Sequence, residues 1–180
     1  KQLNKFKYNI DLFNKLLNEQ PKYVSPDPSW SIVLGKQENP DKIITIVSNP
    51  YCGPCVKAHQ LIDELLASKK NVQVRFVFVF FDINSEDDKR MVIARQLLAL
   101  DSTDDKAVVN KAMHEWYEAK QKDFPTWSKK YQVKYNGSTN EKLEKQLAWV
   151  KLTEIKSTPT ILVNGYELPY PYQVNDLKYF

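Results

Sequence analysis

The segment Val72–Phe81 reads VQVRFVFVFF and ends in six apolar residues without a break. A strand with one face in water alternates apolar and polar residues, so such a run belongs to a strand covered on both faces. That is the condition of an interior strand in an α/β sheet. The flanking segments support this class. Residues 42–48 (KIITIVS) and 30–34 (WSIVL) read as strands, with a turn between Gly35 and Asp41. Between the strands at 42–48 and 72–81, residues from about 55 to 68 carry Ala58, Leu61, Ile62, Leu65 and Leu66 at helical spacing. The order strand, strand, helix, strand is that of an α/β fold.

The rest of the chain divides around this unit. Residues 5–19 place Phe6, Ile10, Phe13, Leu16 and Leu17 on one face of a single amphipathic helix, and Pro21, Pro26 and Pro28 make an irregular connector after it. Residues 84–156 turn helical and lysine-rich. Helix-start signals stand at Ser85/Asp88 and Ser138/Glu141, and Pro125 interrupts the block. Residues 160–163 (TILV) form a short strand, Asn164-Gly165 a hairpin turn, and a last short helix is expected at about 173–179. The expected division is therefore 1–28, an N-terminal helix and connector; 29–83, the first part of an α/β domain; 84–156, a helical insertion; and 157–180, its second part.

Composition limits the function classes. A net charge of +4 from scattered lysines, without a dense basic run, argues against a nucleic-acid partner. No window approaches the roughly 20 apolar residues that cross a bilayer, so no membrane insertion of this segment is expected. The chain starts at Lys1 with no apolar leader, which suggests a processed form or excised fragment whose missing part could include a signal or anchor.

The chemistry is concentrated in Ser48–His59, SNPYCGPCVKAH, which holds the only two cysteines. Three readings are open: a redox pair, half of a metal site, or a structural staple. A staple across two intervening residues closes a tiny loop and removes little entropy from the unfolded chain. A metal site needs four ligands, and only His59 and His114 remain as soft partners for Cys52 and Cys55. The bland reading makes His59 a solvated helix residue and His114 a surface or packing residue. The redox reading uses the context best. Cys52 at a helix start faces unpaired N–H groups and the positive end of the dipole, which favour a thiolate. Pro54 suits a first turn, where its missing N–H has no partner. Cys55 follows one turn later on the same face, so one sulfur can attack a substrate disulfide and the other can resolve the mixed disulfide.

Cys52-Gly53-Pro54-Cys55 after a strand resembles the active-site motif of the thioredoxin superfamily. Thr158-Pro159, opening a late strand, resembles that family's cis-proline loop. The helical block between the two halves of the sheet is similar to the periplasmic disulfide oxidoreductases of the DsbA kind. More narrowly, it resembles the thioredoxin-like domains joined to bacterial vitamin K epoxide reductase-type membrane enzymes. The resemblance covers roughly residues 29–180 and leaves the first helix unassigned.

It implies an α/β, thioredoxin-like fold with a helical insertion between the two halves of the sheet. It implies a thiol–disulfide oxidoreductase without metal or other cofactor, with Cys52 as nucleophile and Cys55 as resolving thiol. Gly53, Pro54 and Tyr51 would support the site. Pro159 would be cis against the cysteine pair, and Thr158 would offer its backbone to an extended client peptide. The implied partners are client proteins with thiols or disulfides and a membrane-embedded redox partner of the vitamin K epoxide reductase type. The implied location is periplasmic or otherwise extracytoplasmic, as a soluble domain of a membrane-anchored protein. Gly-Pro between the cysteines is the dipeptide of reducing relatives, whereas the insertion belongs with oxidants. One departure stands out. Relatives often keep a buried carboxylate six residues before the first cysteine, and here that position is Ile46. Asp82 and Lys57 are the nearest substitutes in sequence terms, each with a bland reading as a solvated charge.

Overall fold

The computed structural model describes residues 2–180. Five strands form one sheet: β1 (Ile32–Gly35), β2 (Lys42–Ser48), β3 (Val72–Phe78), β4 (Thr160–Val163) and β5 (Tyr166–Glu167), in the order β1-β3-β2-β4-β5. Only β2 and β3 are parallel; Ile46 stands beside Phe76 and Ser48 beside Phe78. The helix α3 (Gly53–Ser68) makes the crossover between them. The expected α/β class, split by a helical insertion, is the one the chain adopts.

The apolar run of β3 is explained by burial on both sides. Val72, Val74, Phe76 and Phe78 enter the large core with α3, while Val77 joins Val47 and Leu162 against Trp149 and Ile155. The strand stops at Phe78, three residues short of the apolar run, because its partner β2 ends at Ser48. The side-chain carbonyl of Gln146 accepts the Phe78 N–H at 3.0 Å, and the Ser48 carbonyl accepts that of Val79 at 2.9 Å. Phe80 stays buried, and Phe81 emerges into solvent.

Three local expectations need correction. The single helix expected over residues 5–19 is two, α1 (Gln2–Lys7) and α2 (Ile10–Asn18). Asn9 divides them, with its side-chain oxygen accepting the Leu12 N–H as an N-cap. Phe6 on the first piece is 69% exposed, whereas Phe13 on the second stacks on Phe180 at 4.1 Å. The insertion consists of four helices, α4 (Lys89–Asp101), α5 (Lys106–Glu118), α6 (Phe124–Lys130) and α7 (Gly137–Thr153). The interruption expected at Pro125 is the break between α5 and α6, and Pro125 itself stands in the first turn of α6, which tolerates a residue without an N–H. The start signals are also displaced: Asp88, not Ser85, caps α4, and Asn136, not Ser138, caps α7. The chain ends in a 3₁₀ helix, Val174–Tyr179. The Asn164-Gly165 hairpin forms as expected, with φ of 50° and 89°.

Asp88 joins the insertion to the sheet. One carboxylate oxygen accepts the N–H groups of Arg90 and Met91, and the other accepts those of Phe81 and Asp82. Burial pushes its pKa up, but these four backbone bonds outweigh burial and hold it below the ordinary 3.8. An acid with a depressed folded value contributes stability above its unfolded pKa and loses it as pH falls through the folded value. Asp88→Ala is therefore expected to cost about 1–2 kcal/mol in urea unfolding near neutral pH. The gap between variant and parent should close on acidification below about pH 4. A gap that persists unchanged into acid would contradict the capping role.

Candidate active site

Central strand β2 delivers the motif at its C-terminal end, and the chain turns there because Asn49 organises a tight loop. Its side-chain oxygen accepts the Tyr51 N–H at 2.9 Å, and its backbone carbonyl accepts that of Cys52 at 3.0 Å. Cys52 is the N-cap of α3, with extended backbone angles, and its Sγ accepts the Cys55 N–H at 3.3 Å. Pro54 lies in the first turn. The half-exposed Cys52 and the wholly buried Cys55 are both free thiols.

The late loop meets them from the other side. The Thr158–Pro159 peptide is cis, and the Thr158 carbonyl accepts a hydrogen bond from Cys52 Sγ at 3.4 Å. Two segments 106 residues apart thus share one site. Gly53 and Pro54 are exposed, and the space above Gly53 is open, so the rim of the motif faces solvent. Tyr51 is 41% exposed and sets its ring edge-on to Trp116 at 5.6 Å. Trp116 in turn donates its indole N–H to the Pro50 carbonyl at 2.8 Å. A cleft of about 620 Å³ opens beside Tyr51, lined by Asn49, Phe81, Asp88, Lys89 and Arg90 among others.

The electrostatics of the pair are asymmetric. Burial pushes the Cys55 thiol up to about 11, helped by its bond to Cys52 and opposed by the Asn49 N–H and the Ser48 hydroxyl. Sequence reasoning missed the groups beneath it. His59 is not a solvated helix residue: it is 8% exposed, with Nε2 at 3.1 Å from Ser48 Oγ. Its ring lies between Tyr117, at 3.8 Å, and Phe76, at 5.3 Å. Tyr117 OH lies 2.6 Å from the same Ser48 Oγ. The signal for His59 was available, since it follows Cys55 by four residues and precedes Ile62 by three, on the buried face of α3. Asp82 and Lys57 are exposed, and the Asp82 carboxylate is turned to the Asn84 N–H. His114 is half-exposed between Asp63 and Glu118. Among the described residues, no group of three or more His, Cys, Asp or Glu side chains is arranged so that it could hold a metal ion.

Solved structures share this architecture at low sequence identity. Proteus mirabilis ScsC in a compact conformation superposes with a TM-score of 0.68 at 13% identity, over 98% of this chain and 87% of that one. A periplasmic thioredoxin-like protein from Salmonella enterica serovar Typhimurium gives 0.66 at 14%, over 95% and 98%. Oxidised BdbD from Bacillus subtilis gives 0.57 at 17%, over 88% and 93%. No curated protein matches the chain in sequence. A family model described as thioredoxin matches residues 29–180, which takes in both the cysteine pair and the cis-proline loop, and the chain belongs to that family.

Proposed function

We propose that this chain is a thiol–disulfide oxidoreductase that works through a mixed disulfide at Cys52. The observation that carries the reading is the placement of the pair: Cys52 half-exposed at the head of α3 and bonded to the Thr158 carbonyl, Cys55 buried directly behind it. A client can reach only the first sulfur. In the oxidising direction a client thiolate attacks Cys52 Sγ, the bond between the two cysteines breaks, and its electron pair leaves on Cys55. A second client thiolate then attacks the client sulfur of the mixed disulfide and Cys52 departs as thiolate, so client dithiol becomes disulfide and the pair is reduced. Run backwards, the same steps reduce a client disulfide.

Gly53, Pro54 and Tyr51 support the reacting loop, and the Thr158-Pro159 segment is the edge on which an extended client peptide lies. We place the protein outside the cytoplasm, oxidising client proteins and passing their electrons to a membrane-embedded partner of the vitamin K epoxide reductase type. The periplasmic description of the Salmonella structure supports the location. The partner rests on the sequence resemblance.

The test is covalent trapping. Cys55→Ala should accumulate reductant-sensitive adducts between Cys52 and clients, and Cys52→Ala should form none, read by non-reducing electrophoresis and mass spectrometry. Exchange at the parental rate in both variants would end the proposal. Equilibration of the pair with glutathione buffers then sets the direction, an oxidising potential supporting disulfide introduction and a strongly reducing one a reductase.

A further inference from the structure

Every turnover loads a proton onto Cys55 and removes it again, yet the carboxylate often found for this purpose is replaced by Ile46, fully buried among apolar neighbours. Two residues further along β2, on the same face, stands Ser48, also fully buried. Its hydroxyl lies 3.1 Å from His59 Nε2 and 2.6 Å from Tyr117 OH, and it acts on the Cys55 thiol to hold that pKa down against burial. His59, 8% exposed, also lines a narrow cavity of about 10 Å³ between α3 and α5. That is about the space a single water needs. The cavity wall also includes Asp63, His114 and Glu118, which pair with one another at the surface: His114 Nδ1 lies 3.3 Å from Asp63 and Nε2 lies 2.9 Å from Glu118.

We infer that Ser48 and His59 form the proton path of Cys55, leading from the buried sulfur to the surface cluster Asp63–His114–Glu118. The inference rests on the exchange reaction proposed above and supplies the step that reaction lacks. When Cys55 leaves as thiolate, it takes the Ser48 proton, Ser48 takes the proton on His59 Nε2, and His59 Nδ1 takes one from water in the cavity. That water regains its proton from solvent by way of the Asp63–His114–Glu118 cluster. When Cys55 must become a thiolate again, each proton moves back one place. The path thus runs inward once and outward once per cycle, and the tautomer of His59 returns to its start. The proton steps themselves consume no oxidant or reductant; the two electrons pass from client to the pair and on to the redox partner proposed above.

The surroundings suit a relay without net charge. Burial drives the His59 pKa down to about 3, so the ring stays neutral. Burial raises the Tyr117 phenol well above its ordinary value, so it remains a hydrogen-bonding partner that fixes Ser48. Asp63, pushed up by burial and pulled back by His114, sits at the outer end where exchange with solvent occurs.

Ellman's reagent separates the steps. Cys52 attack releases one thionitrobenzoate, and Cys55 attack on the resulting adduct releases a second. The ratio of the second rate to the first is the readout, in Ser48→Ala and in His59→Phe, which keeps a ring between Tyr117 and Phe76. In both variants the ratio should fall about 100-fold near neutral pH, the size of a general-base contribution. The deficit should vanish as pH rises toward the Cys55 value of about 11, where hydroxide takes the proton directly. An unchanged ratio in either folded variant, or a fall of equal size at every pH, overturns the inference. A parent protein with no first release at all would instead refute the exchange reaction itself.

Discussion

Iodoacetamide at about pH 7.5 is expected to alkylate Cys52 in the reduced protein and to modify Cys55 about 300-fold more slowly than a free cysteine. The reagent reacts with thiolate. A free cysteine of pKa about 8.5 is roughly one-tenth ionised at that pH. A thiol held up at about 11, by burial first and by its bond to Cys52 second, is ionised about 300-fold less. Its lack of any exposed surface can only slow it further. Peptide mass spectrometry over a time course reads both sites separately. In denaturant the two should react alike, which separates environment from local sequence. Equal rates in the folded protein would remove the asymmetry on which the direction of client attack depends.

The split between what the chain announces and what it conceals follows sequence distance. The cysteine pair, the strand before it and the helix after it are neighbours in sequence, so spacing and periodicity place them together. Both faces of β3 could be called buried because the run is apolar throughout, although its end at Phe78 depends on where β2 stops. Asn9 and Asp88 act through local caps, which the pattern contained but broader stripes of apolar residues masked. The hydrogen-bonded chain beneath Cys55 is different. Ser48 and His59 are 11 residues apart, but Tyr117 comes from 69 residues beyond Ser48. Nothing local in AMHEWYEA says which of its polar residues points inward. Only docking of α5 against α3 decides that Tyr117 is buried and His114 half-exposed. The acid absent at position 46 was legible; the hydroxyl and imidazole that stand near its place were not, because their meaning lies in each other.

Trp116→Ala is expected to destabilise the protein by about 3–5 kcal/mol, the usual cost of deleting a buried indole. Trp116 is almost fully buried, meets Trp127 at 5.3 Å and Tyr51 at 5.6 Å, and donates to the Pro50 carbonyl. Trp116→Phe keeps most of the packing and leaves that carbonyl unpaired, so it should cost about 1–3 kcal/mol. Urea unfolding of the reduced proteins measures both, and a loss below about 1 kcal/mol for the alanine variant would contradict this account. The position of the residue adds a second, sharper expectation. Trp116 and Tyr117 are consecutive on α5, yet one holds Pro50 and the other Ser48, on either side of Asn49. The insertion therefore clamps the turn that carries the cysteines, and loosening the clamp should open the site locally. Cys55 alkylation should accelerate in Trp116→Ala. In Phe13→Ala, a comparable loss of buried aromatic surface at the junction of α2 with the C-terminus, it should not under conditions where both remain folded. Equal acceleration in the two would mean that Cys55 is exposed by global unfolding alone, and that the insertion stabilises the fold without holding the site.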